Sequence, residues 1–186
     1  MLNQTDLLEH LTSLRATNWV NDLCCEFNKQ GFRLTDLLDL TLHKNGKIAF
    51  HSVWVLDTLV VNNLLHYVNE INSFIKYSQL IKHHSCQRHY ARIFMYFTAC
   101  KNEVVRQKIA DTDLEPVVAL CFDWLISTKV KVAVKACACE VLFNVSSRYD
   151  WVTEELKNQL LILMRNGSPA IQATGRRLLN KLEQDS

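Results

Sequence analysis

Apolar residues recur at helical spacing along nearly the whole chain. One stripe runs through Ile48, Ser52, Val55 and Leu59, and another through Ala133, Ala136, Val141 and Val145, each with the three- and four-residue steps of one helix face. Long runs of strict apolar alternation with hairpin signals do not occur, which argues against a sandwich or barrel. The four glycines and two prolines fall mostly at breaks in the periodicity. The pattern predicts an all-α chain.

The breaks are evenly placed. Asn45-Gly46, His84-Ser85, Ser127-Thr128 and Asn166-Gly167 interrupt the pattern, with steps of 39, 43 and 39 residues between Gly46, Ser85, Thr128 and Gly167. Each break separates an outer helix from an inner one. The outer helices are predicted over 35–44, 69–83, 113–127 and 153–166, and the inner ones over 47–61, 86–101, 129–146 and 168–184. Thr35, Asp113 and Thr153 suit N-caps, since each side-chain oxygen accepts from an otherwise orphaned backbone N–H. Pro116 and Ser168-Pro169 fit first turns. Segments 5–14 and 18–29, closed by Gly31, read as a capping helix pair. The longest connections are 62–68 and 101–112, the second with room for an extra helical turn.

A two-helix repeat of roughly 40 to 47 residues has the length of HEAT and armadillo units and exceeds that of tetratricopeptide or ankyrin units. The residues carrying a family likeness are Asn18-Trp19, the run Lys47-Ile48-Ala49-Phe50-His51-Ser52-Val53-Trp54-Val55-Leu56, and Val132-Ala133-Val134-Lys135-Ala136-Cys137-Ala138. In these the chain resembles small bacterial HEAT-repeat proteins of uncharacterised function. That resemblance implies a single domain over 1–186, a right-handed α-α superhelix of stacked antiparallel helix pairs, with a capping pair in 1–31 and about four pairs in 35–184. It implies a fold more than an activity. HEAT-like repeats also build alkylpurine DNA glycosylases, which use aromatic, acidic and basic residues on the concave face; no such catalytic set aligns here residue by residue.

Composition narrows the function classes. With 48% hydrophobic and 22% charged residues, the 186-residue chain has ordinary globular usage, and no apolar run approaches the length needed to span a bilayer. The first residues lack a basic segment followed by an apolar one, so a secretory signal is not expected. Seven cysteines, an odd number without framework spacing, fit a reducing compartment, and the cytoplasm is the expected location. Cys24, Cys25, Cys100, Cys121, Cys137 and Cys139 lie in apolar helical patterns and are expected to pack as small hydrophobes. A formal charge of +2 is too small to imply nucleic acid by itself.

Specific catalytic motifs are missing. The glycines are isolated, so neither a P-loop nor a dinucleotide fingerprint is present. His-Glu-x-x-His, Gly-x-Ser-x-Gly and Cys-x-x-Cys are missing as well. The cluster His83-His84-Ser85-Cys86-Gln87-Arg88-His89 holds metal-ligand types but lacks the paired spacing of structural zinc sites, and a polar turn is the preferred reading. Of the four tryptophans, Trp19, Trp54, Trp124 and Trp151, the middle two sit inside apolar patterns and are expected to fill the space between helices. Trp54 and Asp57, three apart, form an aromatic and acid pair on one helix face. No cofactor and no metal are expected.

Aligning the inner helices gives the candidate site. Lys47 and His51, Arg88 and Arg92, Lys131 and Lys135, and Gln172 and Arg176 are four-apart pairs whose first members are 41, 43 and 41 residues apart. Four apart means one helix face. His51, Arg92, Lys135 and Arg176 are expected to project from successive inner helices onto the same concave side as a basic ladder. Either such a row meets an anionic partner, or each cation bridges adjacent repeats through acidic or carbonyl groups. The resulting expectation is a non-enzymatic binding or scaffold module that engages an acidic or extended protein segment, with no membrane contact. The alternative is a DNA-binding repeat protein related to the glycosylases, using the same cations on phosphate.

Overall fold

The computed structural model describes residues 1–13, 18–81 and 83–184. Among them every regular element is a helix, and the one β feature is an isolated parallel bridge between Leu2 and Phe32. The chain forms two compact units, residues 1–93 and 94–186.

The first unit holds α1 (Gln4–Thr12), α2 (Trp19–Gln30), α3 (Leu34–Thr41), α4 (Gly46–Asn62), α5 (Leu64–Tyr67), α6 (Ile71–Ser78) and the first part of α7 (His84–Ala99). Local chemistry sets their ends. Asn3 opens α1 with a capping box: its side chain accepts from Thr5 N and Asp6 N at 2.8 and 3.1 Å, and Asp6 Oδ2 accepts from Asn3 N at 2.8 Å. Gly31 ends α2 at φ 75°, a conformation that other residues adopt only at a cost, and its N–H donates to Phe27 O at 2.9 Å. Asn45 caps α4 through Lys47 N at 3.0 Å. α3 packs along α4, α1 contacts both of them, and α2 contacts α4. Leu14, the expected end of the first helix, lies outside the described residues.

The core of this unit is made by Leu7, Leu11, Phe27, Leu37, Leu38, Val53, Leu56, Ile71 and Phe74, all fully buried. The stripe expected on α4 is confirmed at Ser52, Val55 and Leu59. Tyr90 of α7 is buried among these elements, and its hydroxyl lies 3.0 Å from Thr41 Oγ1. Thr41 Oγ1 itself donates to Leu38 O at 2.7 Å, so Tyr90 is the donor in the pair. Burial pushes the Tyr90 hydroxyl pKa upward.

The second unit holds the rest of α7, then α8 (Glu103–Ala110), α9 (Glu115–Ile126), α10 (Val132–Val145), α11 (Asp150–Arg165) and α12 (Pro169–Gln184). α9 packs on α10 and α11 on α12 as antiparallel-type pairs joined by short turns, and α10 also contacts α12. The expected extra turn in 101–112 is a complete helix, α8, started by Asn102, whose side chain accepts from Val104 N and Val105 N at 3.0 and 3.3 Å. Likewise 62–68 contains α5, with a 3-10 turn at Val68–Glu70 after it.

Several local expectations are corrected. Thr35 and Thr153 lie inside their helices, which begin at Leu34 and Asp150. Asp113 does accept from Glu115 N at 2.9 Å, with Pro116 in the first turn. On α10 the buried stripe is Val134, Ala138, Cys139, Val141, Leu142 and Val145, whereas Ala133 is exposed and Ala136 half-buried. That helix reads Val-Ala-Val-Lys-Ala-Cys-Ala-Cys, and such a run of small apolar residues leaves the phase of the stripe undetermined.

The seven cysteines differ in exposure. Cys24, Cys86, Cys121 and Cys139 are buried, Cys100 and Cys137 are half-buried, and Cys25 is exposed, against the expectation that it packs inside. It follows Cys24 by one position and therefore points about 100° away around the helix. Burial raises the Cys139 thiol to about 12 and pushes Cys121 up as well.

Candidate functional site

Helix α4 carries Lys47, Phe50, His51 and Trp54 at positions i, i+3, i+4 and i+7, one continuous face. Beside it, α7 presents Arg88, His89 and Arg92. From α2 comes Trp19, whose ring lies 5.4 Å from that of Trp54 and 4.8 Å from that of His51.

Beneath this face sits a buried ionic knot. Asp57 of α4 is 0% exposed, and its Oδ2 accepts from His89 Nδ1 at 2.7 Å and from Arg92 NH1 at 2.9 Å. A carboxylate only accepts, so His89 carries its hydrogen on Nδ1. Asp57 Oδ1 is also buried and has no hydrogen-bond partner among the described residues. Hydrogen bonds to a charged group contribute roughly 1.5–3 kcal/mol each, enough to offset part of the cost of hiding the carboxylate.

The knot fixes the aromatic layer above it. With Nδ1 tied to Asp57, the His89 ring is held in one orientation, and Trp54 stacks on it at 6.1 Å with 29° between planes. Phe50 packs edge-on to His89 at 5.5 Å and against Trp54 at 5.5 Å. Trp54 is 38% exposed, which corrects the expectation that it fills the core. Its neighbours Val53 and Val55 are fully buried, and Trp54 stands at the rim of their stripe. Trp124, by contrast, is buried as expected, and Trp151 is exposed, leaning on Phe122 at 5.4 Å. A shallow hollow of about 220 Å³ lies between Trp19 and Trp54, bordered by Asn18, Asn21 and Thr58.

The basic pairs divide by role. Lys47, Arg88 and Lys131, the first members, are exposed. Three of the second members are turned inward to neighbouring elements. His51 Nδ1 lies 3.1 Å from Leu11 O in the last turn of α1, Arg92 reaches Asp57, and Lys135 Nζ donates to Leu125 O in the last turn of α9 at 2.7 Å. A cation at the carbonyl end of a helix satisfies an orphan acceptor and opposes the helix dipole. Gln172 Nε2 donates to Gly167 O at 3.1 Å, while Arg176 is exposed.

In the histidine-rich turn, His84 Nδ1 lies 3.4 Å from Gln87 Oε1, His83 stands against Gly46, and Cys86 and His89 are buried. Among the described residues no three His, Cys, Asp or Glu side chains are placed to hold one metal ion. No single helix among them is long and apolar enough to cross a membrane.

Residues 7–182 match the HEAT repeat domain. The chain belongs to the HEAT-repeat family. No curated protein and no solved structure matches it. HEAT repeats build protein-interaction scaffolds, and the helix pairs with their inter-helix cations accord with that architecture.

Sequence reasoning singled out Lys47, His51, Arg88 and Arg92 on the helices of this HEAT-repeat face but not its aromatic layer. The signal was present in the Lys47, Phe50, Trp54 spacing, a polar-to-aromatic stripe offset from Val53 and Val55. It was obscured because aromatic residues serve both core and rim. The Asp57–His89–Arg92 knot spans 35 residues and needs the packing of α4 on α7 to become visible.

Proposed function

We propose that the face formed by α2, α4 and α7 of the first unit binds an acidic, extended protein segment, and that the protein is a non-enzymatic HEAT-repeat binding module of the cytoplasm. The observation that carries this reading is Trp54, exposed to solvent yet stacked on a histidine locked by a buried carboxylate, with the exposed cations Lys47 and Arg88 on the same two helices as Trp54 and His89. A large aromatic held in place before binding loses little conformational freedom on contact, and such anchors dominate interface energies. Flanking cations raise the encounter rate with an acidic chain and set its register. Seven cysteines, an odd number without framework spacing, support a reducing compartment.

Non-enzymatic action is supported by the burial of Asp57. Asp57 is closed off from solvent, with Oδ2 occupied by two donors.

A second reading, duplex DNA as the partner, is favoured by the aromatic and basic composition of the same face. Added salt separates the two. Phosphate contacts release counterions, so DNA affinity falls steeply with ionic strength, whereas a peptide anchored on Trp54 retains most of its affinity. The test is a titration of an Asp/Glu-rich peptide containing one aromatic residue, and separately of a DNA duplex, read by quenching of tryptophan fluorescence between 50 and about 300 mM salt, the range over which counterion release is resolved. Saturable peptide binding with a shallow salt slope supports the protein reading. Tight duplex binding with a steep slope and no peptide binding would replace it by the second.

A further inference from the structure

The second unit holds a cleft that the aromatic face does not involve. It has a volume of about 620 Å³ and lies where the ends of several helices meet: α7 and its exit, α8, the end of α10, the first turn of α11 and the end of α12. Pockets for small ligands typically span about 300 to 1,000 Å³. Size alone therefore admits a ligand.

Its lining is one-sided in charge. Lys101 and Arg106 are exposed on its wall, Ser147 and Thr153 add hydroxyls, and no acidic residue lines it among the described residues. Phe143 and Leu182 supply the apolar part. Lys181 Nζ stands 5.5 Å from the Phe143 ring centre, which brings a third positive charge to that side. One anion competes at the edge: Glu103 Oε2 accepts from Arg106 NH1 at 3.3 Å, a contact between two exposed side chains that water and salt weaken readily.

The cleft is also braced. Asn144 Nδ2 donates to Thr98 Oγ1 at 3.1 Å, joining α10 to the end of α7. Thr98 Oγ1 in turn donates to Phe94 O at 2.9 Å, so the Asn144 amide is fixed with its carbonyl oxygen still available. Arg148 donates to Ile109, Ala110 and Thr112 carbonyls at 3.0, 3.1 and 2.9 Å and holds the end of α8 in place. A smaller hollow of about 210 Å³ adjoins the cleft and shares Thr98, Arg106, Asn144 and Ser147 with it.

We propose that this recess binds a phosphomonoester attached to a planar or apolar group, the phosphate between Lys101 and Arg106 with Ser147 and Thr153 as hydroxyl donors, and the attached group on Phe143 and Leu182. Phosphate oxygens require several strong donors and a local excess of positive charge, and the recess supplies both without an opposing carboxylate on its wall. The shared chemistry is met by a nucleoside monophosphate and by a phosphotyrosyl side chain.

Calorimetric titration of the full chain with adenosine monophosphate and with a phosphotyrosyl peptide, each beside its unphosphorylated counterpart, tests this and tells the sources apart. The expected result is saturable binding of at least one phosphorylated probe, at least tenfold tighter than its counterpart. Lys101→Gln and Arg106→Gln each weaken it about tenfold, the loss of one charge-assisted hydrogen bond. Ser147→Glu, which places a carboxylate on the wall, abolishes it. Both substituted cations are exposed, so the fold is retained, as an unchanged melting temperature verifies. Binding of neither phosphorylated probe, equal affinity for probe and counterpart, or binding indifferent to all three substitutions would overturn the proposal. None of these outcomes bears on the Trp54 face, which lies in the other unit.

Discussion

Asp57 on α4 accepts a 2.9 Å hydrogen bond from Arg92 on α7, and the carboxylate that does so is completely buried. The same oxygen takes His89 Nδ1, so one carboxylate orients two α7 side chains and, through His89, the Trp54 ring. Replacing Asp57 by alanine leaves His89 and Arg92 without their acceptor. Removing one partner of a buried ion pair typically costs about 3–5 kcal/mol. Urea denaturation of Asp57→Ala is expected to show a loss of that order, and Arg92→Glu a loss of similar sign because it sets a second carboxylate against the first. Stability within 1 kcal/mol of wild type for both variants, a margin typical of surface positions, would show that the knot contributes little.

Lys135 and Lys131 provide a paired comparison four residues apart on one helix. Lys135 is tied to the Leu125 carbonyl at 2.7 Å, and Lys131 is exposed. Lys135→Met is expected to lower stability by about 1 kcal/mol through the lost cap, and Lys131→Met to stay within about 0.5 kcal/mol. Thermal melts of the two variants check the order. Equal effects would mean that the Leu125 contact carries no net stabilisation.

The helical class and the pairing of α3 with α4, α9 with α10 and α11 with α12 were readable because each depends on spacing within about 40 residues. Gly46, Thr128 and Gly167 mark turns that periodicity alone exposes. Arg92, His51 and Lys135 were readable as a basic set, and bridging to acidic or carbonyl groups of adjacent repeats was one of the two roles their spacing allowed, but the spacing did not decide between the two. Whether a long cation reaches solvent or a carbonyl depends on what the neighbouring helix brings near it, such as Asp57 or the Leu125 carbonyl. Trp54 shows the same limit from the apolar side: its spacing places it next to a buried stripe, and only the position of α2 with Trp19 decides that it lies at the rim. Helix α8 was reduced to a turn because its sequence, Glu-Val-Val-Arg-Gln-Lys-Ile-Ala, has few apolar positions, of which Val105 and Ile109 alone are buried.

Alkaline pH acts through the buried thiols. Burial raises Cys24 from its ordinary value of 9.0 to about 12, with the neighbouring Cys25 adding to the effect, and burial likewise raises Cys139 to about 12. Below pH 9 both thiols are protonated whether the chain is folded or not, and their contribution is fully present. Between pH 9 and 12 the unfolded chain releases these protons and the folded one keeps them, so stability falls as pH rises. Each thiol contributes a slope of up to about 1.4 kcal/mol per pH unit. Urea midpoints measured at several pH values in this window are expected to decline for wild type and to decline less steeply for Cys24→Ala. Parallel curves for the two proteins would refute the assignment to Cys24.

The central claim, that the Trp54 face engages an acidic protein segment, is tested most directly by fluorescence anisotropy with a labelled Asp/Glu-rich peptide containing one aromatic residue. The titration is run on wild type, on Trp54→Ala and on the double variant Lys47→Glu/Arg88→Glu. Truncating a central aromatic anchor costs about 2 kcal/mol or more, roughly thirtyfold in affinity. The account predicts that loss for Trp54→Ala, no measurable binding for the double variant, and a double-variant melting temperature equal to that of wild type. Peptide affinities that are the same in all three proteins would contradict it.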